Sequence, residues 1–63
     1  MTQGERIREV RKALGLTLEK FGDKLGVKKN TLSALERGVN GLTDQMAKAI
    51  CREYNVSYDY LIY

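Results

Sequence analysis

The 63-residue chain has no proline, histidine or tryptophan, and Cys51 is its single cysteine. One thiol cannot form an internal disulfide, and without histidine it is too little for a Cys/His metal site, so we expect no metal, cofactor or redox chemistry. No apolar run approaches the roughly 18 residues that a membrane-spanning helix needs. The segment MTQGERIREVRK mixes acids and bases where a secretory signal would be apolar, which predicts a cytoplasmic protein.

A chain of this length has room for one hydrophobic core, so we expect residues 1–63 to form a single domain. Lacking disulfides and metals, such a domain needs regular helix packing or a partner subunit for stability. The net charge of +3 is unevenly distributed: residues 1–37 hold nine Lys/Arg against five Asp/Glu, and residues 38–63 hold two against three. This asymmetry favours a polyanionic partner, with an ordinary solvated surface as the alternative.

Glycines divide the chain into segments with helical periodicity. The predicted helices are Gln3 to Leu14, Thr17 (as cap) to Leu25, Lys28 to Arg37, one that begins at Thr43 or Asp44, and Tyr58 to Ile62 after a Ser57 cap. The predicted buried stripes are Ile7, Val10 and Leu14 in the first helix, and Met46, Ala47, Ile50 and Tyr54 in the fourth. No alternating strand pattern occurs in the sequence, so we predict an all-α fold of five short helices.

The connection between the second and third predicted helices is very short. Gly26 can take the positive φ that a tight turn requires, and Val27 can plug the core beside it. Gly22 has no side chain where the second helix must cross the third closely. Each glycine alone would fit a simple helix terminator, but the joined pattern F-G-x-K-L-G-V-x-x-x-x-L-x-x-L-E predicts a helix-turn-helix.

The segment GERIREVRKALGLTLEKFGDKLGVKKNTLSALERG is similar to the phage-repressor and Cro-like (Xre-type) helix-turn-helix family of transcriptional regulators. The family's usual small residue corresponds to Gly22, its turn glycine to Gly26, its plug to Val27, and its terminal E-x-G to Glu36 and Gly38. The later NVSYDYLIY resembles the family's last helix. The resemblance implies a lambda-repressor-like, five-helix domain that places its third helix in the major groove of double-stranded DNA. It thus implies a sequence-specific transcriptional regulator, with repression as the expected mode.

The third predicted helix has a small polar face opposite its core side. A rotation of about 100° per residue from Leu32 puts Leu35 and Glu36 on the core side. Asn can bond adenine, Lys can reach guanine, and an Ala methyl suits the thymine methyl. An ordinary solvated helix face is the alternative. The base-reading candidates are Lys29, Asn30, Ser33, Ala34 and Arg37.

The start of the third helix is also the candidate phosphate-binding region. No acid lies between Lys24 and Leu35 in the sequence, and free N–H groups at a helix N-terminus favour phosphate. The resemblance adds the start of the second helix and the exposed backbone amides of the loop after the third, for which a helix cap and a flexible turn are the alternatives. The phosphate-binding candidates are Thr17, Lys24, Lys28, Thr31, Asn40 and Gly41.

Two positions depart from the family pattern. Leu18 replaces a polar residue that often touches the DNA backbone, so it can offer only its amide or an apolar contact. Lys28 replaces the usual Ser or Thr cap, which gives up about 1 kcal/mol of capping free energy for a charge near phosphate.

One charged pair is expected to be structural. Arg11 lies on the same face of the first helix as Ile7 and Val10, and Glu36 lies on the core side of the third helix. The family resemblance also places an Arg–Glu pair here. We therefore predict that Arg11 and Glu36 form an ion pair that holds the first helix against the third, with two solvated side chains as the alternative.

The last eight residues carry more apolar surface than one short helix can bury. The residues concerned are Val56, Tyr58, Tyr60, Leu61, Ile62 and Tyr63. Tyrosine is enriched at interfaces, so we predict a weak homodimer through Val56–Tyr63 that binds an inverted-repeat operator. The alternative is that the tyrosines lie loosely on the surface.

An enzyme is not expected, because the chain has no histidine, no metal-ligand set and no Gly-rich phosphate loop after a strand. The serious alternative to DNA binding is a protein-interaction module, or an antitoxin-like partner, that keeps the same fold.

Overall fold

The computed structural model describes residues 2–63, which contain five α-helices and no strand. The helices are α1 (Gln3–Ala13), α2 (Leu18–Leu25), α3 (Lys29–Glu36), α4 (Asp44–Tyr54) and α5 (Tyr58–Ile62). The all-α prediction is confirmed, and the predicted boundaries lie within about one residue of the observed ones, which is the ordinary uncertainty of helix ends. None of these helices is long and apolar enough to span a bilayer.

Side-chain caps start four of the five helices. Each cap hydroxyl accepts a hydrogen bond from the backbone N–H three residues later, and Thr2 forms a reciprocal capping box with Glu5. The capping residues are Thr2, Thr17, Thr43 and Ser57. The start of α3 differs, because Lys28 occupies its N-cap position and makes no side-chain capping bond.

The core draws apolar side chains from all five helices. Its buried members are Ile7, Phe21, Leu32, Leu35, Ile50 and Leu61. The ring of Tyr54 stacks on Phe21 with centroids 4.4 Å apart, and its hydroxyl donates a hydrogen bond of 2.8 Å to the Phe21 carbonyl oxygen. Helix α3 packs against α1 and α2, while α4 packs mainly against α2 and α5.

The prediction that Leu14 belongs to the buried stripe is wrong, since 47% of this residue is exposed. Leu14 is the C-cap of α1, keeps α-helical dihedral angles and donates from its N–H to the Val10 carbonyl oxygen at 3.1 Å, so the helical wheel gives its direction but not whether another element covers it. Leu16 is half-buried against the core instead, and its N–H bonds the Arg11 carbonyl oxygen at 3.1 Å. The chain after α1 therefore folds back toward the core.

Two helical glycines allow close backbone contacts. A Cβ at Gly22 would lie 2.7 Å from the Val27 carbonyl oxygen, so α2 makes its close approach to the turn that precedes α3. The prediction placed this close approach at the third helix itself, and that part of it is wrong. A Cβ at Gly4 would overlap the Leu35 carbonyl oxygen and lie 2.6 Å from that of Glu36. Helix α1 thus rests on the C-terminal end of α3. Gly26 has the predicted positive φ, 74°.

Candidate nucleic-acid interface

The first three residues of α3 are on the surface. Lys29, Asn30 and Thr31 are all exposed there, and Arg37 is exposed at the other end of the helix. Ser33 is half-buried, and its hydroxyl accepts a 3.4 Å hydrogen bond from Nε of Arg37. These side chains form a polar face with donors along its length, and such donors suit the acceptors of base edges.

Ala34 does not belong to this exposed face. Only 9% of the residue is exposed, so the prediction that its methyl group is available to a thymine is wrong. Beyond the helix, the N–H groups of Val39 and Asn40 donate to the Ala34 carbonyl oxygen at 3.0 and 3.3 Å, so the backbone of the loop turns back to this residue. A helical wheel of α3 alone shows neither this turn nor the burial of Ala34.

The N-terminus of α3 is the one helix start, among the five described, that lacks a side-chain cap. The N–H groups of its first turn consequently remain available to an external acceptor. Lys28 and Lys29 are both exposed beside these groups. Positive side chains and the helix dipole act in the same direction, so this end of α3 suits an anion such as a DNA phosphate.

Two acids, which the sequence interpretation missed, face the start of α3. Glu19 and Asp23 line an open cleft of about 330 Å³ together with Lys28, Lys29 and Asn30. Their i, i+4 spacing in α2 was a visible signal that they share a face, but it did not show which residues that face meets. The two carboxylates reduce the positive potential around the lysines without forming an ion pair with them in residues 2–63.

Two other phosphate candidates already have partners within the chain. The Thr17 hydroxyl is exposed and caps α2, accepting a 3.1 Å hydrogen bond from the Lys20 N–H. Lys24 is exposed, but its ammonium lies 5.8 Å from the ring centroid of Tyr54, on the side of α4. Lys24 does not line the cleft with Lys28, so the predicted cluster of three lysines is only partly brought together.

The loop after α3 offers fewer amides than expected. Asn40 is exposed, yet its N–H is bonded to the Ala34 carbonyl oxygen, so the prediction of a free amide is wrong at this residue. Its side chain remains at the surface, next to the exposed Gly41. Both residues line a cleft of about 370 Å³ with the N-terminal residues of α1.

Arg11 and Glu36 meet between α1 and α3. Arg11 donates from Nε and from Nη2 to the two Glu36 carboxylate oxygens, at 2.7 and 3.1 Å, and from Nη1 to the Leu16 carbonyl oxygen at 3.0 Å. The side chains are 14% and 7% exposed. The hydrogen bond to Glu36 raises the pKa of Arg11 above its ordinary value. This bidentate pair ties the C-terminal end of α3 to α1 and to the turn after α1.

The C-terminal helix presents three tyrosines to the surface. Tyr58, Tyr60 and Tyr63 are 36%, 44% and 81% exposed, whereas Leu61 is fully buried. Val56 is half-buried against the core. The predicted Val56–Tyr63 region is therefore divided between core and surface.

Helix α5 is attached to α1 and α4 by polar contacts. Arg6 Nη1 and Gln3 Nε2 donate to the carbonyl oxygens of Tyr60 and Ile62, at 3.0 and 3.2 Å. The Tyr58 hydroxyl donates to Asp44. This hydrogen bond, followed by the one from Lys48, lowers the pKa of the Asp44 carboxyl. Helix α5 is thus held to α1 through its backbone carbonyl groups and to α4 through the Tyr58 side chain.

The chain is similar to several known proteins. A family profile described as Helix-turn-helix matches residues 7–61. The chain is 34% identical over 55 residues to Antitoxin PezA of Streptococcus pneumoniae serotype 4, covering 87% of this chain and 35% of that protein. It is 42% identical over 52 residues to an uncharacterized HTH-type transcriptional regulator of Methanothermobacter thermautotrophicus, covering 76% and 75%. The HTH-type transcriptional regulator ImmR of Bacillus subtilis is 34% identical over 62 residues, covering 98% and 49%.

The chain spans between 35% and 75% of the length of these relatives. Among solved structures, it resembles the P22 c2 repressor protein in complex with a synthetic operator, with a TM-score of 0.88 and 31% sequence identity. That alignment covers 98% of this chain and 94% of the other. The two proteins therefore have the same fold along nearly the whole length of both chains.

Proposed function

The chain belongs to the helix-turn-helix family, and from that membership we propose that it is a sequence-specific double-stranded DNA-binding transcriptional regulator that acts as a repressor. The observation that carries the proposal is the uncapped start of α3, with exposed Lys28, Lys29 and Asn30 around it. The likeness to the P22 c2 repressor, which was solved in complex with an operator, supports the same reading. The proposed activity is binding and requires no catalytic group.

In the proposed complex, α3 enters the major groove with its N-terminal turn closest to the base edges. Asn30 bonds an adenine through N6 and N7, and Lys29 reaches guanine O6 or N7. Ser33 and Arg37 read bases farther along the groove, where the Arg37 guanidinium must leave its 3.4 Å contact with Ser33. Ala34 takes no part, because it is buried.

Phosphate contacts set the position of α3 on the duplex. Lys28, Thr31 and the free N–H groups of the first turn bind one backbone segment, and Thr17 at the start of α2 lies near another. The Asn40 side chain and Gly41 supply the contact from the loop. Lys24 contributes positive charge at longer range.

The proposal also includes a weak homodimer through Val56–Tyr63 on an inverted-repeat operator. Support comes from the three exposed tyrosines of this region. A two-fold pair sets the two recognition helices about 34 Å apart, which is one turn of B-DNA.

Random-oligonucleotide selection with the 63-residue chain tests the proposal and yields the operator. Measured on the selected site, Asn30→Ala should cost about 1–3 kcal/mol and relax the preference at one base pair. Lys28→Ala should weaken all duplexes similarly and lower the salt slope by about one. Exchanged results for the two variants would mean that α3 docks in a different orientation.

A second candidate function is an antitoxin-like protein-interaction module. The observation that favours it is the 34% identity with Antitoxin PezA over 87% of this chain. A salt titration with random duplex separates the two functions. Binding of a DNA reader weakens steeply with salt because counterions are released, whereas an interaction module that has lost DNA binding should hardly bind duplex at all.

A further inference from the structure

An open groove lies between the turn that precedes α3 and the outer face of α4. Its volume is about 550 Å³, within the range of roughly 300–1,000 Å³ found for ligand sites. The groove exists because α4 packs mainly against α2 and α5, which leaves one side of the turn uncovered. Val27 contacts Gly22 on its covered side and lines the groove on the other.

The groove combines an apolar floor with a cationic rim. Half-buried Leu25, Val27, Met46 and Ala49 form the floor. Lys48 and Arg52 stand exposed at its edge, and no acid lines it among residues 2–63. Lys48 contacts Asp44 at 3.0 Å, but Arg52 forms no ion pair within the described chain.

We propose that this groove binds a short amphipathic α-helix of a partner protein, with apolar side chains on the floor and acidic side chains against Lys48 and Arg52. The proposal does not depend on DNA binding, because none of these six residues is assigned to the DNA interface.

The shape of the groove selects a helix from the known modes of peptide recognition. An added β-strand needs a sheet edge, and residues 2–63 contain no strand. A polyproline helix needs an aromatic-lined groove, and no aromatic residue lines this one. The α4 side of the groove, from Thr43 to Arg52, is long enough for about two turns of helix. A helix laid in the groove remains as the mode that fits.

The charge of the rim selects acidic flanks. Two cations without a lining acid attract carboxylates and disfavour a basic segment. A nucleic-acid backbone would satisfy the cations, but it has no apolar side chain to fill the floor. An acidic, amphipathic helix satisfies both parts of the surface.

Phage display of random 16-residue peptides against the immobilised 63-residue chain provides the probe. We expect enriched peptides to carry apolar residues at i, i+3 or i+4, and i+7, with Asp and Glu between them. A synthetic consensus peptide titrated into ¹⁵N-labelled protein should shift the amides of Leu25, Val27, Met46 and Ala49. The double variant Lys48→Glu/Arg52→Glu should weaken this binding about tenfold or more.

The matched control is Arg8→Glu/Lys12→Glu, which changes the net charge equally on the exposed face of α1. This variant should bind the peptide as wild type does. The proposal is overturned if no peptides are enriched, if their consensus is basic or uncharged, or if the shifts map to Tyr58, Tyr60 and Tyr63. Duplex binding that Lys48→Glu/Arg52→Glu weakens and Arg8→Glu/Lys12→Glu leaves unchanged would assign the groove to nucleic acid, and concentration-dependent shifts without peptide would assign it to a second copy of the chain.

Discussion

The Arg11–Glu36 pair connects α1 with the C-terminal end of α3 through hydrogen bonds of 2.7 and 3.1 Å. Arg11→Met leaves a carboxylate with only 7% exposure unpaired and removes the donor to the Leu16 carbonyl. We expect a loss of about 3 kcal/mol in the free energy of unfolding, measured by urea melts at low temperature.

The reciprocal change, Glu36→Leu, should also destabilise the chain, while the double variant Arg11→Met/Glu36→Leu should lose less than the sum of the two. Lys12→Met, at an exposed neighbour, is the control and should melt like wild type. If Arg11→Met and Glu36→Leu also melt like wild type, the pair has no structural role.

Gly4 permits the contact between α1 and the end of α3. Gly4→Ala gains up to about 1 kcal/mol of helix propensity, but the added Cβ overlaps the Leu35 carbonyl oxygen. The atoms that the Cβ would meet belong to the backbone of α3 and cannot move aside easily. The cost of the clash should therefore exceed the gain in helix propensity, and we expect a net loss of about 1–3 kcal/mol in the free energy of unfolding, measured by chemical melts. Gly41→Ala meets nothing within 4 Å and should change stability by less than about 0.5 kcal/mol. Equal stabilities of the two variants would contradict the close approach.

Asp44 links α4 to α5 through the Tyr58 hydroxyl, which holds the pKa of the carboxyl below its usual 3.8. The folded state then binds the proton more weakly than the unfolded state. The stabilisation is therefore complete above the usual pKa and is lost as the pH falls through the lower, folded value. Asp44→Asn and Tyr58→Phe should both show a smaller fall in unfolding free energy between about pH 5 and about pH 2. Tyr63→Phe, at an 81% exposed residue, should keep the wild-type fall.

At the scale of an element, α3 starts without a side-chain cap, and we propose that its free first-turn N–H groups and Lys28 bind phosphate instead. Lys28→Ser should restore the missing cap and raise the free energy of unfolding by about 1 kcal/mol. The same change should weaken duplex binding and lower its salt slope by about one, because a phosphate-facing charge is lost. Urea melts and salt titrations of one protein preparation give both values.

Lys28→Ala is the matched control for the cap. It should reproduce the loss in duplex binding without the gain in stability, since alanine cannot accept the capping hydrogen bond. A stability gain in Lys28→Ala, or an unchanged salt slope in Lys28→Ser, would show that this position is not used as proposed.

The elements were largely predictable from the sequence because their determinants are local. The hydroxyls of Thr17, Thr43 and Ser57 meet amides three residues away, so the starts of α2, α4 and α5 can be read without a tertiary fold. The exposed Asn30 and Lys29 were also predictable from the helical wheel. The burial of Ala34 was not, because it depends on packing outside α3.

At the scale of the whole molecule, the proposed dimer predicts two chains on a duplex with a two-fold site. Sedimentation at high micromolar concentration should detect at most a weak dimer of the free protein, since small interfaces often form only on DNA. Tyr63→Ser should reduce binding of the second chain, because Tyr63 is the most exposed tyrosine.

Leu14→Ser, at another exposed apolar residue, serves as the control and should leave the stoichiometry unchanged. One chain per duplex, on a selected site without two-fold symmetry, would end the dimer proposal. A monomer in solution that binds DNA in pairs is consistent with it.

The sequence by itself determined the five helices, the caps of α2, α4 and α5, and the turn at Gly26, because hydrogen bonds over three or four residues and the helical period require no distant partner. Tertiary structure alone decided which surfaces meet and which stay open. It placed Glu19 and Asp23 beside the lysines of α3, left Leu14 exposed, and formed the groove between the turn and α4. A helical wheel gives the direction of a side chain around its own axis. The orientation of one helix relative to another comes from packing between residues distant in sequence, and that packing places each face in the core, in a cleft or at the surface.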